Sequence, residues 1–96
     1  MDNRIYISNL YDYYGMLLTD KQQAYFEEYY FNNLSLAEIA ENYEISRNAV
    51  HKQIKETEEK LHYFEEKLQL YHKGKQIKQL IQNLDPALQD QIIDWI

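Results

Sequence analysis

Residues 34–54 read LSLAEIAENYEISRNAVHKQI. Two serines, Ser35 and Ser46, each precede a short run with helical spacing of its apolar residues. Serine is a favoured N-cap because its hydroxyl accepts a hydrogen bond from a free amide of the first turn. Glu38 follows Ser35 by three residues and completes a capping box. The stretch therefore predicts two consecutive helices, one after each serine.

The apolar residues of this stretch favour a steep crossing of the two helices. Ala40 is small enough to allow close approach of the backbones, and Val50 and Ile54 can anchor one face of the second helix. The connecting turn usually contains glycine at positive φ. Here Asn42 or Glu44 must adopt that conformation, at about 1–2 kcal/mol if it is Glu44. The pattern indicates a helix-turn-helix, although a compact corner between any two antiparallel helices would show similar spacings.

The free face of the second predicted helix carries groups that recognise DNA. The second helix of a helix-turn-helix offers its N-terminal residues to the major groove, where arginine or lysine pairs with guanine and asparagine with adenine. A serine at the helix start can hold a phosphate. We expect the base-contacting residues to be Arg47, Asn48, His51 and Lys52, and the phosphate-contacting residues to be Ser46 and Lys55.

Helical spacing continues on both sides of this stretch. A first helix is predicted over about residues 4–18, and a second from Asp20 to about Phe31 behind a capping box of Thr19 and Gln22. After Ser46 the apolar spacing alternates between four and three residues and predicts one helix over residues 47–72, about 40 Å long. Its seam consists of Val50, Ile54, Thr57, Leu61, Phe64, Leu68 and Tyr71.

The remainder of the chain is predicted to form a C-terminal helical extension. Gly74 is expected to break the long helix, and a short helix is predicted around residues 77–84. Asp85 and Pro86 then indicate the start of a final helix, because proline is well tolerated at the first helical position. The predicted domains are residues 1–72, with the helix-turn-helix, and residues 73–96.

The distal part of the predicted seam favours a homodimer. Its predicted interface residues lie beyond the helix-turn-helix and are Leu61, Phe64, Leu68 and Tyr71. Burial of such a side chain contributes roughly 1.5–3 kcal/mol, so we expect either a second chain or the C-terminal helices of the same chain to cover them.

The composition favours a small all-α protein. The 96 residues include only two glycines and one proline, and hydrophobic residues make up 45% of the chain. There is no cysteine, and no apolar run approaches the roughly 20 residues that cross a bilayer, so we expect a cytoplasmic protein. No motif of an enzyme, a metal site or a cofactor site is present. The tyrosines are expected to be mainly core aromatics whose hydroxyl edges reach polar surroundings.

The charge is distributed unevenly. The formal net charge is −6, and residues 46–96 balance eight basic against eight acidic residues, so the excess lies in residues 1–45. Residues 46–55 contain three basic residues and no acid, which permits local contact with DNA. The alternative function is a protein or ribonucleoprotein adaptor that meets a basic partner through an acidic surface formed by Glu27, Glu28, Glu38, Glu41 and Glu44.

Two family resemblances add to these expectations. LTDKQQAYFEEYYFNNLSLAEIAENYEISRNAVHKQI, residues 18–54, resembles region 4 of bacterial sigma factors. Residues 11–71 are more specifically similar to the YlxM family of small bacterial helix-turn-helix proteins. That family usually has glycine-valine-serine-arginine-glutamine-alanine-valine where residues 44–50 here read EISRNAV. Members are typically encoded beside the signal recognition particle GTPase, so the resemblance implies a role in that pathway, with the GTPase or its RNA complex as possible partners.

Overall fold

The computed structural model describes residues 3–96, which form six α-helices and one short 3-10 turn. The helices are α1 (Asn3–Tyr14), α2 (Asp20–Tyr30), α3 (Leu36–Tyr43), α4 (Arg47–Leu68), α5 (Leu70–Leu80) and α6 (Pro86–Ile93), and the turn is Gly15–Leu17. The described residues contain no strand, and the predicted all-α fold is confirmed. None of their helices is both long and apolar enough to pass through a bilayer.

Helix α4 is the common support of the fold. Its Val50, Ile54, Thr57 and Leu61 are all buried, so one face of the helix is covered for most of its length. Thr57 fills the gap in the apolar series, and its hydroxyl donates to the carbonyl oxygen of Gln53 at 2.8 Å. The first half of this face packs into a cluster with α2 and α3, and the second half into a cluster with α1 and α2.

The helix starts agree with the capping predictions. The Thr19 hydroxyl accepts from the Gln22 amide at 3.2 Å, and the Ser35 hydroxyl accepts from the Glu38 amide at 3.1 Å. In both cases the side chain of the third residue also accepts from the amide of the cap, which completes the predicted capping boxes. Asp85 caps α6 through the Ala87 amide at 3.1 Å.

The turn between α3 and α4 is closed by a left-handed residue. Glu44 has φ 56° and ψ 43°, so Glu44 rather than Asn42 adopts the strained conformation. The Ile45 amide donates to the Ala40 carbonyl at 3.0 Å, and the Glu44 amide donates to the Glu41 carbonyl at 3.3 Å. These two bonds form a Schellman motif. They set the direction in which the chain leaves α3 and starts α4.

The predicted end of the long helix was wrong. Helix α4 ends at Leu68, and the next residue, Gln69, has φ 56° and ψ 30°. Helix α5 starts immediately afterwards, so the break lies before the predicted end at His72. Gly74 does not break a helix as predicted, because it lies inside α5 and is buried there. The predicted helix around residues 77–84 is likewise replaced by the end of α5 and a turn.

Two side chains, Tyr14 of α1 and Glu65 of α4, explain the early break. The Tyr14 hydroxyl donates to Glu65 Oε1 at 2.6 Å and accepts from the Leu70 amide at 3.0 Å. The Glu65 carboxylate also accepts from the amides of Tyr71 at 3.1 Å and His72 at 3.0 Å. These are amides at the start of a helix, which have no partner within it. Burial and the bond to Glu65 raise the pKa of Tyr14 to about 12.

The predicted dimer seam is largely covered within the chain. Leu61 is completely buried in the α1 cluster, and the Phe64 ring lies 5.9 Å from that of Tyr14. Tyr71 packs against the same cluster from α5, whereas Leu68 is 45% exposed. These residues do lie beyond the helix-turn-helix cluster, as expected, but α1 covers Leu61 and Phe64, whereas a second chain or the C-terminal helices had been expected to cover them. The dimer interface stays a prediction.

The C-terminal part of the chain leaves much of its apolar surface exposed, including Leu88 and Ile93 of α6. Trp95 is 88% exposed and Leu80 82% exposed. Ile96 lies close to Gly74 of α5. A Cβ atom added at Gly74 would be 3.9 Å from the Cβ of Ile96.

We expect Tyr14→Phe to lower the free energy of unfolding by about 1–3 kcal/mol. The substitution keeps the ring but removes one hydrogen bond from the Glu65 carboxylate and one from the Leu70 amide. Chemical denaturation checks this. Tyr63→Phe is the matched control, since Tyr63 is 56% exposed, and its effect should stay within about 0.5 kcal/mol. Equal effects of the two substitutions would contradict the structural role of the Tyr14 hydroxyl.

We expect Glu44→Gly to raise the free energy of unfolding by up to about 1–2 kcal/mol, because glycine removes the steric cost at positive φ. Glu41→Gly, at an exposed position within α3, should instead destabilise by about 1 kcal/mol. Glu44→Gln separates the loss of charge from the backbone effect. Thermal melting of the three variants is the measurement, and destabilisation by Glu44→Gly would refute the strain at this turn.

Candidate nucleic-acid interface

The first turns of α4 present the predicted DNA-binding side chains at the surface. Ser46 and the side chains of Arg47, Asn48, His51, Lys52 and Lys55 are all exposed. Val50 and Ile54, on the opposite side of the same turns, are buried against α2 and α3. The buried face holds the helix against α2 and α3. The six predicted residues therefore lie together on one accessible segment of a packed helix.

Ser46 holds the start of α4 in a form suited to an anion. Its hydroxyl oxygen accepts from the Ala49 amide at 3.0 Å, which fixes the N-cap. The amides of Arg47 and Asn48 lie in the first turn of α4 and have no carbonyl partner within the helix. They can therefore donate to a phosphate oxygen. The positive end of the helix dipole adds a favourable field at the same place.

His51 and Lys55 differ from the rest of the predicted set in what lies beside them. They line a cavity of about 270 Å³ together with Ile54 and Glu58 of α4, Tyr29 of α2 and Leu36 of α3. Arg47, Asn48 and Lys52 do not line this cavity. At about 100° per residue, the five predicted side chains of the helix fall within an arc of about 140°, so they are brought together on one side of α4.

Acidic residues surround the positive segment. Glu41 and Glu44 lie on α3 and the turn, both exposed, immediately before the cap of α4. Glu38 is also exposed, and hydrogen bonds from the Ser35 amide and hydroxyl lower its pKa. The three carboxylates repel phosphate, so within the helix-turn-helix favourable contact with a polyanion is limited to the start of α4.

Three tyrosine–carboxylate hydrogen bonds were not predicted from the sequence. They join Tyr11 to Glu27, Tyr30 to Glu58 and Tyr14 to Glu65. The partners are separated by 16, 28 and 51 positions, so no local spacing indicates them. Burial and the bonded carboxylate raise the pKa of Tyr11 and of Tyr30.

Hydrogen bonds within the chain also involve carboxylates of the predicted acidic surface. Glu27 accepts from Tyr11, Glu28 accepts from the Asn32 side chain at 2.7 Å, and Glu38 closes the capping box at Ser35. Three of the five carboxylates proposed to meet a basic partner therefore already accept hydrogen bonds within the chain. Their geometry is fixed by the fold rather than by a partner.

Comparison with known proteins identifies the family. Residues 1–94 match the model of the UPF0122 family, described as "Putative helix-turn-helix protein, YlxM / p13 like". A UPF0122 protein of Caldanaerobacter subterraneus subsp. tengcongensis is 41% identical over 87 residues, which cover 91% of this chain and 74% of that protein. One from Bacillus pumilus is 46% identical over 81 residues (84% and 74%), and one from Malacoplasma penetrans is 44% identical over 89 residues (92% and 83%). The resemblance detected in the residues is confirmed, and the chain belongs to the UPF0122 family of YlxM / p13-like helix-turn-helix proteins.

Proposed function

We propose that this protein is a DNA-binding regulator that inserts the start of α4 into the major groove. The observation that carries the proposal is the surface of residues 46–55, which is exposed, contains three basic residues and no acid, and lies on a helix whose other face is buried. A helix held in this way can place its side chains against base edges without losing its own support.

The individual roles follow from donor chemistry and position. Arg47 can pair with the two acceptors of guanine, and Asn48 with the acceptor and donor of adenine. His51 and Lys52, one turn further along, reach neighbouring base edges. Ser46 and Lys55 hold phosphates and so set the register of the helix on the duplex.

The acidic surroundings have a consequence for the mode of binding. Binding without sequence preference depends on the number of phosphates that are neutralised, and the start of α4, residues 46–55, offers only three basic side chains. Glu38, Glu41 and Glu44 disfavour by charge repulsion any binding geometry in which α3 lies close to the DNA backbone. We therefore propose low affinity for random DNA and dependence on base contacts at a cognate site.

The process that is regulated is proposed from family resemblance. YlxM proteins are typically encoded beside the signal recognition particle GTPase, and this chain shares their family. We propose that it acts in the same protein-targeting pathway.

The second candidate is an adaptor that binds the targeting GTPase or its RNA complex through acidic residues. Its support is the confinement of the net charge of −6 to residues 1–45. It ranks second because Glu27, Glu28 and Glu38 already accept hydrogen bonds within the chain.

Selection from random duplexes at low salt, followed by titration of the enriched site, tests the proposal. Arg47→Ala should weaken binding by about 1–3 kcal/mol and relax base choice at one position, because a bidentate contact is lost. Lys55→Ala should weaken all sequences alike and reduce the salt slope by about one.

Lys73→Ala is the matched control, since Lys73 is an exposed lysine of α5 and its loss removes the same charge. It should leave both affinity and salt slope at the values of the native chain. If no sequence is enriched, or if Lys73→Ala weakens binding as much as Arg47→Ala, the role of α4 is refuted. Nuclease-resistant capture of the targeting GTPase would then favour the adaptor.

A further inference from the structure

A cavity of about 570 Å³ lies between α1 and α5 and does not involve α4. This volume is within the range of sites that bind small molecules, roughly 300–1,000 Å³. The lining side chains of the two helices are Asn9, Asp12, Tyr13, Tyr71, Lys75 and Lys78. Ile96 completes the lining. The cavity is therefore a candidate binding site that is separate from the predicted DNA-binding residues.

Each helix lines the cavity with one face. At about 100° per residue, the three residues of α1 fall within an arc of about 100° and those of α5 within about 60°. The two helices meet at the Tyr13 and Tyr71 rings, whose centroids are 6.3 Å apart. Gly74 leaves room for the Tyr13 hydroxyl, since a Cβ at Gly74 would be 2.8 Å from that oxygen. The packing of α5 on α1 therefore brings the lining side chains together.

The lining side chains carry two ammonium groups and one carboxylate, those of Lys75, Lys78 and Asp12. The two lysines belong to a locally basic stretch, since residues 67–84 contain four lysines and no acid, although the net charge of the protein is −6. The Lys75 ammonium is 5.9 Å from the centre of the Tyr71 ring. Within residues 3–96 neither lysine forms an ion pair with a carboxylate. Both ammonium groups are therefore available to an anion.

Neutral polar groups lie in the same cavity. The Tyr13 hydroxyl makes no hydrogen bond to any residue in the described part of the chain, so it can donate to a ligand. Asn9 offers an amide donor and an acceptor, and Asp12 offers an acceptor for hydroxyl or amino groups. The Tyr71 ring and Ile96 add apolar surface. The cavity thus combines cations, hydrogen-bond acceptors and an apolar wall.

We propose that this cavity binds a nucleoside monophosphate. A phosphate monoester carries a charge of about −1.5 to −2 at neutral pH, which two ammonium groups balance. Lysine binds phosphate as a point charge, and the Tyr13 hydroxyl adds a directional donor. The acceptors of Asn9 and Asp12 suit ribose hydroxyl or base amino groups, and a planar base suits the apolar wall. A phosphodiester within a nucleic-acid strand carries only one negative charge and is a poorer match.

Calorimetric titration of the native chain with the four common nucleoside monophosphates at low salt tests the proposal. At least one should bind with a dissociation constant of about 1 mM or lower, and its parent nucleoside should bind at least about tenfold more weakly. Lys75→Ala and Lys78→Ala should each weaken binding at least about tenfold, because each removes a charge-assisted hydrogen bond to the phosphate. Lys73→Ala is the matched control, because Lys73 is an exposed lysine of α5 that does not line the cavity, and it should change the affinity less than about twofold.

Tyr13→Phe separates ligand binding from folding. It removes only the hydroxyl, which has no hydrogen-bond partner in residues 3–96, so the melting temperature of the ligand-free protein should not fall. The affinity for the nucleotide should fall at least about fivefold, since a donor to the phosphate is lost. A lower melting temperature with unchanged nucleotide affinity would overturn the assignment of this hydroxyl to the ligand.

Amide chemical shifts locate the bound nucleotide. The proposal requires the largest changes at the lining residues of α1 and α5. It is overturned if no nucleoside monophosphate binds at millimolar concentration, or if the changes concentrate in residues 46–55. It is also overturned if inorganic phosphate binds as tightly as the nucleotide, or if a dinucleotide joined by a phosphodiester binds more tightly. None of these readouts involves duplex DNA, so the result is independent of the proposed function.

Discussion

Both hydrophobic clusters of the protein are built on the burial of one face of α4. Val50 and Ile54 close the helix-turn-helix cluster, and Thr57 and Leu61 continue the same buried face into the α1 cluster. Full burial of each apolar side chain contributes roughly 1.5–3 kcal/mol, which is large for a 96-residue chain. One helix therefore joins two cores, and the proposed recognition surface is the exposed side of its first turns.

Polar contacts then fix what hydrophobic burial leaves undetermined. Apolar packing alone would allow α1 to slide along α4. The Tyr14 hydroxyl, the Glu65 carboxylate and the first amides of α5 form a directional network at the junction of α1, α4 and α5. Arg4 does the same at the other end of α1, where its guanidinium donates to the Tyr29 carbonyl at 2.9 Å. Glu27, Glu58 and Glu65 thus accept from tyrosine hydroxyls. Glu38, Glu65 and Asp85 accept from amides at helix starts.

Local features of the fold could be read from the sequence, because they depend on neighbouring residues. The capping boxes at Thr19 and Ser35 were predicted correctly, and of the two residues predicted as candidates for the strained conformation of the turn, Asn42 and Glu44, it is Glu44 that adopts it. The end of α4 was not, because it depends on Tyr14, which lies 51 positions from Glu65. The apolar stripe of the sequence predicted that Leu61 is buried. Such a stripe does not show which other helix buries the residue. The exposure of the predicted DNA-binding residues agrees with expectation, whereas their roles remain proposals.

Native-state hydrogen exchange across α4 tests most directly the claim that this helix unites the two cores. If α4 is a single support, the amides of Val50, Ile54, Thr57 and Leu61 should all exchange with the free energy of global unfolding. Protection should then fall at Gln69, where the helix is interrupted. Exchange of Val50 and Ile54 at a much lower free energy than Leu61 would show that the helix-turn-helix opens as a separate unit, and it would contradict the account.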